Sequence, residues 1–247
     1  MKILICISNV PDTTTKIKFT GDNTEFDIAG VQWIINPWDE LALTRALQLK
    51  EKSDGKIEKI SVVSVGLKTA EPTLRKTLAI GADNAIRIDC EAKDSYSVAA
   101  QIAEVAKDYD IIMCGIEASD YNGSAVGGML SEFLNIPSIS SVSSLEIEDE
   151  NIIINREIDG GTEVLTTEIP FVAIVQKGIA IEPRIPSMRG IMMARKKPLN
   201  VVPPIKVEVL TEFANFELPP SKAVCKMIDA ENVKELVELL HNEAKVI

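Results

Sequence analysis

The chain has 247 residues, a formal net charge of −11 and a sequence pI of about 4.8. So acidic a protein lacks the basic face that a phosphate backbone requires, which argues against nucleic acid as a general partner. The length suits one large domain, or one domain with appendages, and 46% of the residues are hydrophobic while only 4% are aromatic. The core is therefore expected to be aliphatic, as it is in buried parallel sheets.

Residues that build catalytic centres are scarce. The chain has four cysteines, which lie far apart without CxxC spacing: Cys6, Cys90, Cys114 and Cys225. It has a single histidine, His241. This pattern does not predict a zinc site, a Cys–His pair or a Ser–His–Asp triad. Cys6 and Cys114 lie inside apolar runs and are expected to be buried small hydrophobes. The prediction is a protein without a catalytic centre or metal site of its own.

The N-terminal apolar run, residues 1–7, is too short for a secretory signal and is followed at once by polar residues. No apolar run approaches the roughly 20 residues that a membrane-spanning helix needs. A cytoplasmic location is therefore expected.

The first predicted elements are a buried strand at residues 2–8 and, after it, a polar loop with a small hairpin near residues 13–23. A helix is predicted from Asn36, because asparagine is a favoured N-cap and proline suits the first helical position. Asp39 and Glu40 are explained by the helix dipole, and the helix is expected to end before Gly55.

Strands and helices then alternate. Strands are predicted at residues 59–65, 85–88 and 110–114, and helices at 69–80, 94–108 (with Asp94 as its cap) and 123–134. This order is typical of an α/β fold with a doubly wound, mostly parallel sheet.

After residue 137 the pattern predicts an antiparallel β-meander, at about 140–175, added to the parallel core. Prolines exclude long helices between residues 182 and 220, so this segment is predicted to be an extended arm, with a disordered linker as the alternative. A final helix is predicted at 230–243, capped by Asp229. Its apolar face comprises Val233, Leu236, Val237 and Leu240.

Ligands of doubly wound sheets bind beyond the carboxyl ends of the strands, at helix N-termini. Three segments are predicted at this edge: residues 6–13, Val65 with Gly66, and 115–126. The last is rich in glycine and small hydroxylated residues, whose exposed N–H groups can hold a phosphate. The alternative is an ordinary turn with close helix packing, and the segment is neither a P-loop nor a GxGxxG motif.

A basic, Met-rich segment at residues 184–197 is the second candidate site. Its basic residues are Arg184, Arg189, Arg195, Lys196 and Lys197, and Met188, Ile191, Met192 and Met193 lie between them. On an acidic chain such a segment favours docking of another protein, since charge steers the encounter and thioethers adapt to varied partners. A solvated surface loop is the alternative.

Four motifs, in order, resemble the β subunit of electron-transfer flavoproteins, nearly from end to end. They are the segments 36–40 (Asn-Pro-Trp-Asp-Glu), 78–83 (Leu-Ala-Ile-Gly-Ala-Asp), 156–163 (Arg-Glu-Ile-Asp-Gly-Gly-Thr-Glu), and 182–184 (Glu-Pro-Arg) followed by 190–192 (Gly-Ile-Met). The resemblance implies an adenine-nucleotide α-hydrolase-like fold. Residues 1–197 would form the nucleotide-binding domain, with a recognition loop at 182–197. Residues 198–247 would form an arm and helix that pack on an α subunit.

The resemblance also implies a function. An α subunit would hold most of the redox-active FAD, and this chain would clamp AMP without turning over a substrate itself. Electrons would come from flavin-dependent dehydrogenases such as acyl-CoA dehydrogenase and leave for the respiratory chain or another acceptor. Two alternatives stay open: a bifurcating relative with a second FAD in place of AMP, and a stand-alone adenine-nucleotide-binding regulator.

Site residues are implied by position. The AMP contacts would be Cys6, Asn36, Pro37, Trp38, Asp39, Val65, Gly115, Asp120, Asn122, Gly123, Ser124, Ala125 and Val126. Thr13 and Trp38 would lie near the flavin. The partner-binding residues would be Glu157 (towards the flavin domain), Arg184, Ile185, Met188 (the apolar anchor for a dehydrogenase) and Ile191. The chain departs from the family pattern at Tyr121, Asn122 and Ala125, where the usual glutamine is absent.

Overall fold

The computed structural model describes residues 1–148, 151–222 and 224–247. The strands are β1 (Lys2–Cys6), β2 (Asn9–Pro11), β3 (Phe19–Thr20), β4 (Glu25–Phe26), β5 (Trp33–Ile35), β6 (Lys59–Val65), β7 (Asn84–Ile88), β8 (Ile111–Gly115), β9 (Ser138–Glu148), β10 (Asn151–Ile158), β11 (Gly161–Thr167), β12 (Phe171–Val175) and β13 (Leu199–Val202). The helices are α1 (Pro37–Lys52), α2 (Glu71–Ile80), α3 (Ser95–Ala106), α4 (Val126–Leu134), α5 (Met188–Ala194) and α6 (Val233–Glu238), which continues as a wider turn over Leu239–Ala244.

Nine strands form one sheet in the order β11-β10-β9-β12-β8-β1-β6-β7-β13. The centre is parallel: β1 lies between β6 and β8, with Ile5 opposite Val62 on one side and Met113 on the other. β9, β10 and β11 run antiparallel to one another, and β9 joins the parallel part through β12. The predicted doubly wound sheet with an antiparallel meander is confirmed.

Helices cover both faces of the sheet, and successive strand residues supply two separate cores. Ile3 and Ile5 of β1 belong to the core that contains Leu43 of α1 and Leu74 of α2. Leu4, which points the other way, belongs to a second core together with residues of α3 and α4. Continuous burial along β1 is therefore the reason that its sequence shows no alternation of apolar and polar residues.

The start of α3 is formed as predicted. The Asp94 side chain accepts a hydrogen bond from Ser97 N at 2.8 Å, and the Ser97 side chain returns the bond to the Asp94 backbone. At α1 the boundary is as predicted but its explanation was wrong, because the Asn36 side chain makes no capping hydrogen bond.

Between residues 182 and 220 the structure contains two elements that the sequence did not predict. The seven-residue α5 lies between prolines, and β13 extends the sheet by pairing in parallel with β7, Leu199 opposite Ala85. A four-residue strand shows no readable periodicity, so only the tertiary pairing reveals it. The extended arm begins after β13.

The last helix begins later than predicted. Its first residue is Val233, with Asn232 at the N-cap, whereas the Asp229 carboxylate accepts a hydrogen bond from Glu231 N. Its apolar face is exposed at Val233, Leu236 and Val237. Among the described residues, no helix is both long and apolar enough to cross a membrane.

Candidate functional site

A cleft of about 530 Å³ opens beyond the carboxyl ends of β1, β6 and β8, the edge at which doubly wound sheets bind ligands. Its wall continues through the loops that follow these strands, the N-terminus of α3, and residues 211–213 of the arm. The sequence predicted the three loops, whereas the N-terminus of α3 and the arm are additions from the structure.

Asp39 links two strand ends at the bottom of this cleft. Its carboxylate accepts hydrogen bonds from Ser8 N and from Gly115 N, both at 2.8 Å, and so joins the ends of β1 and β8. A Cβ at Gly115 would lie 2.5 Å from Asp39 Oδ1, so this close approach requires glycine. Burial raises the pKa of the Asp39 carboxyl to about 6. The helix-dipole explanation of Asp39 missed this role.

Asn36 fixes the loop that follows β8. Its side-chain amide donates to Glu117 O at 2.8 Å and accepts from Ser119 N at 3.2 Å, and the residue is buried. The bond from Ser119 N occupies the side-chain oxygen with which an N-cap would have accepted. Asn36 therefore stands behind the wall of the cleft and shapes the loop at 115–126.

The tip of that loop is a tight turn followed by two residues with positive φ angles. The N–H groups of Tyr121 and Asn122 both donate to Ala118 O, which closes a turn. Asn122 and Ser124 then adopt positive φ angles of 54° and 48°. Such conformations cost about 1–3 kcal/mol in non-glycine residues and cluster at functional sites.

In the described part of the chain, no acceptor is found for the backbone N–H groups of Gly123, Ser124 and Ala125. These three residues lead directly into α4, which begins at Val126. The N–H groups of the first turn of a helix have no partner within the helix. Successive free N–H groups next to a helix N-terminus suit a phosphate or another anion.

The buried thiols of the floor are chemically quiet. Cys6 and Cys114 are both buried, as predicted, and burial raises the pKa of the Cys6 thiol and raises that of Cys114 to about 12. Thiols of such high pKa remain protonated and are poor nucleophiles. They act as small apolar packing groups under the cleft.

The second candidate site, the basic and Met-rich segment, forms α5 and the loop before it. Ile185, Met188 and Met192 are 86%, 77% and 70% exposed, which makes an apolar surface. Arg184 does not face outward freely, because its guanidinium makes a two-pronged ion pair with Glu51, with both distances 2.8 Å. Its backbone N–H also donates to Thr44 Oγ1, so Arg184 anchors the loop to α1.

Helix α5 is held against α2 by reciprocal capping. Arg75 of α2 donates to Ala194 O and Lys197 O, at 2.9 and 2.8 Å. In return Lys197 Nζ donates to Leu78 O, Gly81 O and Ala82 O at the end of α2. Lys197 was counted among the basic residues of the predicted docking segment, but its ammonium group faces inward and partial burial lowers its pKa.

Comparison with known proteins bears on both sites. A family model described as the electron transfer flavoprotein domain matches residues 24–207. The electron transfer flavoprotein subunit beta of Bacillus subtilis is 37% identical over the full length of both chains. The chain belongs to the electron transfer flavoprotein β-subunit family. The subunit of Syntrophomonas wolfei is 36% identical, with 98% of its length covered, and that of Homo sapiens is 29% identical, with 99% covered.

Three of the four electron transfer flavoprotein motifs meet distant segments at the two candidate sites. The segment at 36–40 holds the loop at 115–126 through Asn36 and Asp39. The segment at 78–83 supports the segment at 190–192, where a Cβ at Gly190 would lie 2.3 Å from Ala79 O. Segments that are far apart in sequence thus build two sites, one concave and one exposed.

Most of the predicted nucleotide contacts line the cleft: Cys6, Asp39, Val65, Gly115, Asp120, Gly123, Ser124, Ala125 and Val126. Five predicted cofactor residues do not line it: Thr13, Asn36, Pro37, Trp38 and Asn122. Of the predicted partner-binding residues, Glu157, Ile185, Met188 and Ile191 are exposed.

Lining residues outside the predicted segments include Trp33, Lys93, Thr211 and Phe213. Ser8 and Tyr121 lie inside those segments but were not among the predicted contacts. Ser8 follows β1 directly and was predictable from its place at the carboxyl edge. Thr211 and Phe213 lie in the proline-rich segment, where no local pattern relates them to the sheet edge.

Proposed function

We propose that this electron transfer flavoprotein subunit forms a heterodimer with an α subunit and binds AMP in the cleft, without a catalytic centre of its own. Electrons from dehydrogenases pass to an FAD held mainly by the α subunit, and from there to the respiratory chain or another acceptor. The observation that carries the nucleotide assignment is the row of free N–H groups at 123–125, at the carboxyl edge of the sheet.

The residues of the cleft fit a nucleotide monophosphate. The N–H groups at 123–125 and the N-terminus of α4 offer donors to a phosphate. Val65 and Val126 supply apolar wall for a base and sugar. The side chains of Asp39 and Asn36 form their hydrogen bonds with the strand ends and the loop. Their part in binding is to fix the positions of the groups that touch the ligand.

The flavin supplies the redox chemistry when it is bound. The contribution of this chain is to position it and to bring partners close. Thr13 is exposed and Trp38, at the N-terminus of α1, is only partly buried, so both are accessible to a cofactor held by another subunit. Glu157, exposed at the end of β10, offers a charge to that subunit's mobile part.

Two exposed apolar surfaces suit the two protein partners. The face of α6 with Val233, Leu236 and Val237 suits a permanent partner such as the α subunit, since exposed apolar helix faces are costly in water. The surface of α5 with Met188 and Met192 is rimmed by Arg189 and Lys196. That combination suits transient docking to a dehydrogenase with an apolar pocket and an acidic rim.

Co-expression with the α subunit, followed by extraction and counting of cofactors, tests the proposal. One FAD and one AMP per heterodimer is the expected result. Two FAD molecules and no AMP would replace it with the bifurcating alternative. A chain that stays monomeric beside the α subunit would contradict heterodimer formation, and one that also retained AMP would support the stand-alone regulator.

A further inference from the structure

The first part of the arm, residues 205–216, lies across the mouth of the cleft, and we name it the strap. Its beginning is held by Gln101 of α3, whose amide donates to Ile205 O at 2.8 Å and accepts from Ile205 N at 2.9 Å. Its middle is held by Asp94, because Oδ2 accepts from Leu210 N at 2.7 Å and from Thr211 N at 3.1 Å. The strap is thus tied to the start of α3, one wall of the cleft.

Aromatic rings hold the other end. The chain has six phenylalanines, two tryptophans and three tyrosines, and four of these rings form one ladder. Tyr121 meets the Phe213 ring edge-on at 5.8 Å, Phe213 meets Phe216 at 5.2 Å, and Phe216 stacks on Phe19 at 5.1 Å. In a protein so poor in aromatic residues, this concentration marks an attachment point.

The ladder runs from the cleft, which Tyr121 and Phe213 line, to a neighbouring hairpin. Tyr121 belongs to the loop after β8, beside the free N–H groups, whereas Phe19 belongs to the hairpin of β3 and β4. Phe216 N also donates to Asn23 O of that hairpin, at 2.8 Å. The strap therefore bridges two loops that the sheet alone does not connect.

Residues 211–213 line the cleft directly, together with Asp94 and Tyr121, which hold them. The strap consequently forms part of the wall of the site. Its own burial is slight, since Leu210 and Phe213 are each 57% exposed. A segment with few buried contacts can open without unfolding the sheet beneath it.

We propose that the strap is the gate of the nucleotide site, with Thr211 and Phe213 as ligand-contacting residues and with Asp94, Gln101 and the aromatic ladder as its latches. Entry and release of an adenine nucleotide require these latches to open. The gate rests on the proposed function of the cleft, because it presupposes that a nucleotide binds there.

Three substitutions open the latches one at a time. Phe213→Ala removes the ladder's central ring, and Gln101→Leu removes both bonds to Ile205 while leaving a good helix former in α3. Asp94→Ser keeps a side-chain oxygen to cap α3 but removes the second oxygen, which accepts from the strap. Phe133→Ala is the matched control, since the ring of Phe133 on α4 pairs with Tyr96 on α3 and with no ring of the ladder.

The experiment uses the heterodimer loaded with radiolabelled AMP and chased with excess unlabelled AMP. We expect AMP release to be at least about tenfold faster in each strap variant than in the wild type and in Phe133→Ala. The reason is that the strap must detach before the nucleotide can leave, and each variant weakens one of its attachments. Hydrogen exchange at Leu210, Thr211 and Phe216 should accelerate in parallel.

Two results would overturn the gate, and they differ. Release at the wild-type rate from all three variants, with faster exchange in the strap, would show that the strap moves without controlling the ligand and would leave the proposed function standing. A wild-type heterodimer that binds no labelled AMP would overturn the nucleotide assignment itself, and the gate with it.

Discussion

The cleft and the surface of α5 differ in the kind of contacts that form them. In the cleft, the side chains of Asp39 and Asn36 form hydrogen bonds that hold the loops in place, and Ser124, in a costly conformation, lies in a row of free N–H groups. The α5 surface presents exposed methionines on a helix that is fixed from behind by Arg75 and Lys197. A small ligand needs fixed donors around it, whereas a protein partner needs adaptable contacts on a firm base.

This difference predicts that changes in the cleft alter stability, while changes on the α5 surface alter partner kinetics at little cost in stability. Four experiments test this contrast between the cleft and the α5 surface.

The largest effect is expected from the titration of Asp39. Its pKa is raised from 3.8 to about 6, so the folded state binds the proton more tightly than the unfolded chain does. The free energy of unfolding should therefore fall as pH rises from about 4 to about 6, by about 3 kcal/mol in all. Urea unfolding across this range measures the slope. Asp39→Asn, which does not titrate, should flatten it, and equal slopes in both proteins would contradict the assignment.

Neighbouring glycines of α4 give the next effect. A Cβ at Gly127 would lie 2.6 Å from Ile174 Cγ1 and 2.7 Å from Cys114 Sγ, whereas one at Gly128 meets nothing within 4 Å. Gly127→Ala should lower the free energy of unfolding by about 2 kcal/mol through overpacking. Gly128→Ala should raise it by about 0.5–1 kcal/mol through helix propensity. Thermal and urea unfolding of the pair would show no difference if α4 did not lie this close to the sheet.

Adjacent lysines test the base of the α5 surface. Lys197→Met removes an ammonium group from three carbonyls and should cost about 1 kcal/mol while slowing electron transfer from a dehydrogenase, because α5 loses its anchor. Lys196→Met removes an exposed charge and should change only the salt dependence of the rate. Stopped-flow reduction of the flavin at several ionic strengths separates the two, and identical behaviour would argue against an inward role for Lys197.

The smallest effect on stability is expected at Met188. Met188→Ala should change the free energy of unfolding by less than about 0.5 kcal/mol, since the side chain is exposed. It should nevertheless slow electron transfer from the dehydrogenase about tenfold, without loss of flavin, as removal of a docking anchor does. Met227→Ala, which is equally exposed but lies on the arm, should leave the rate unchanged. An unchanged rate in Met188→Ala would remove Met188 from the docking surface.

Local patterns located most of the sheet and half of the cleft. The strand at 59–65 and the Asp94 cap are both as predicted, because an apolar run between turn residues and a cap residue before a periodic segment act locally. The roles of Asn36 and Asp39 were not predicted correctly. Both residues suit a helix start, and nothing nearby in sequence indicates that their side chains would turn to partners about 80 residues away.

The sequence by itself determined the alternating order of strands and helices, the aliphatic core and the four motifs of the family, since these depend on residue type and short spacing. The tertiary structure alone decided which polar groups are paired and which remain free. It turned Lys197 inward, added β13 to the sheet edge and laid residues 205–216 across the cleft. Each of these contacts joins segments more than 100 residues apart, and chain closure over such distances leaves no periodic trace in the sequence.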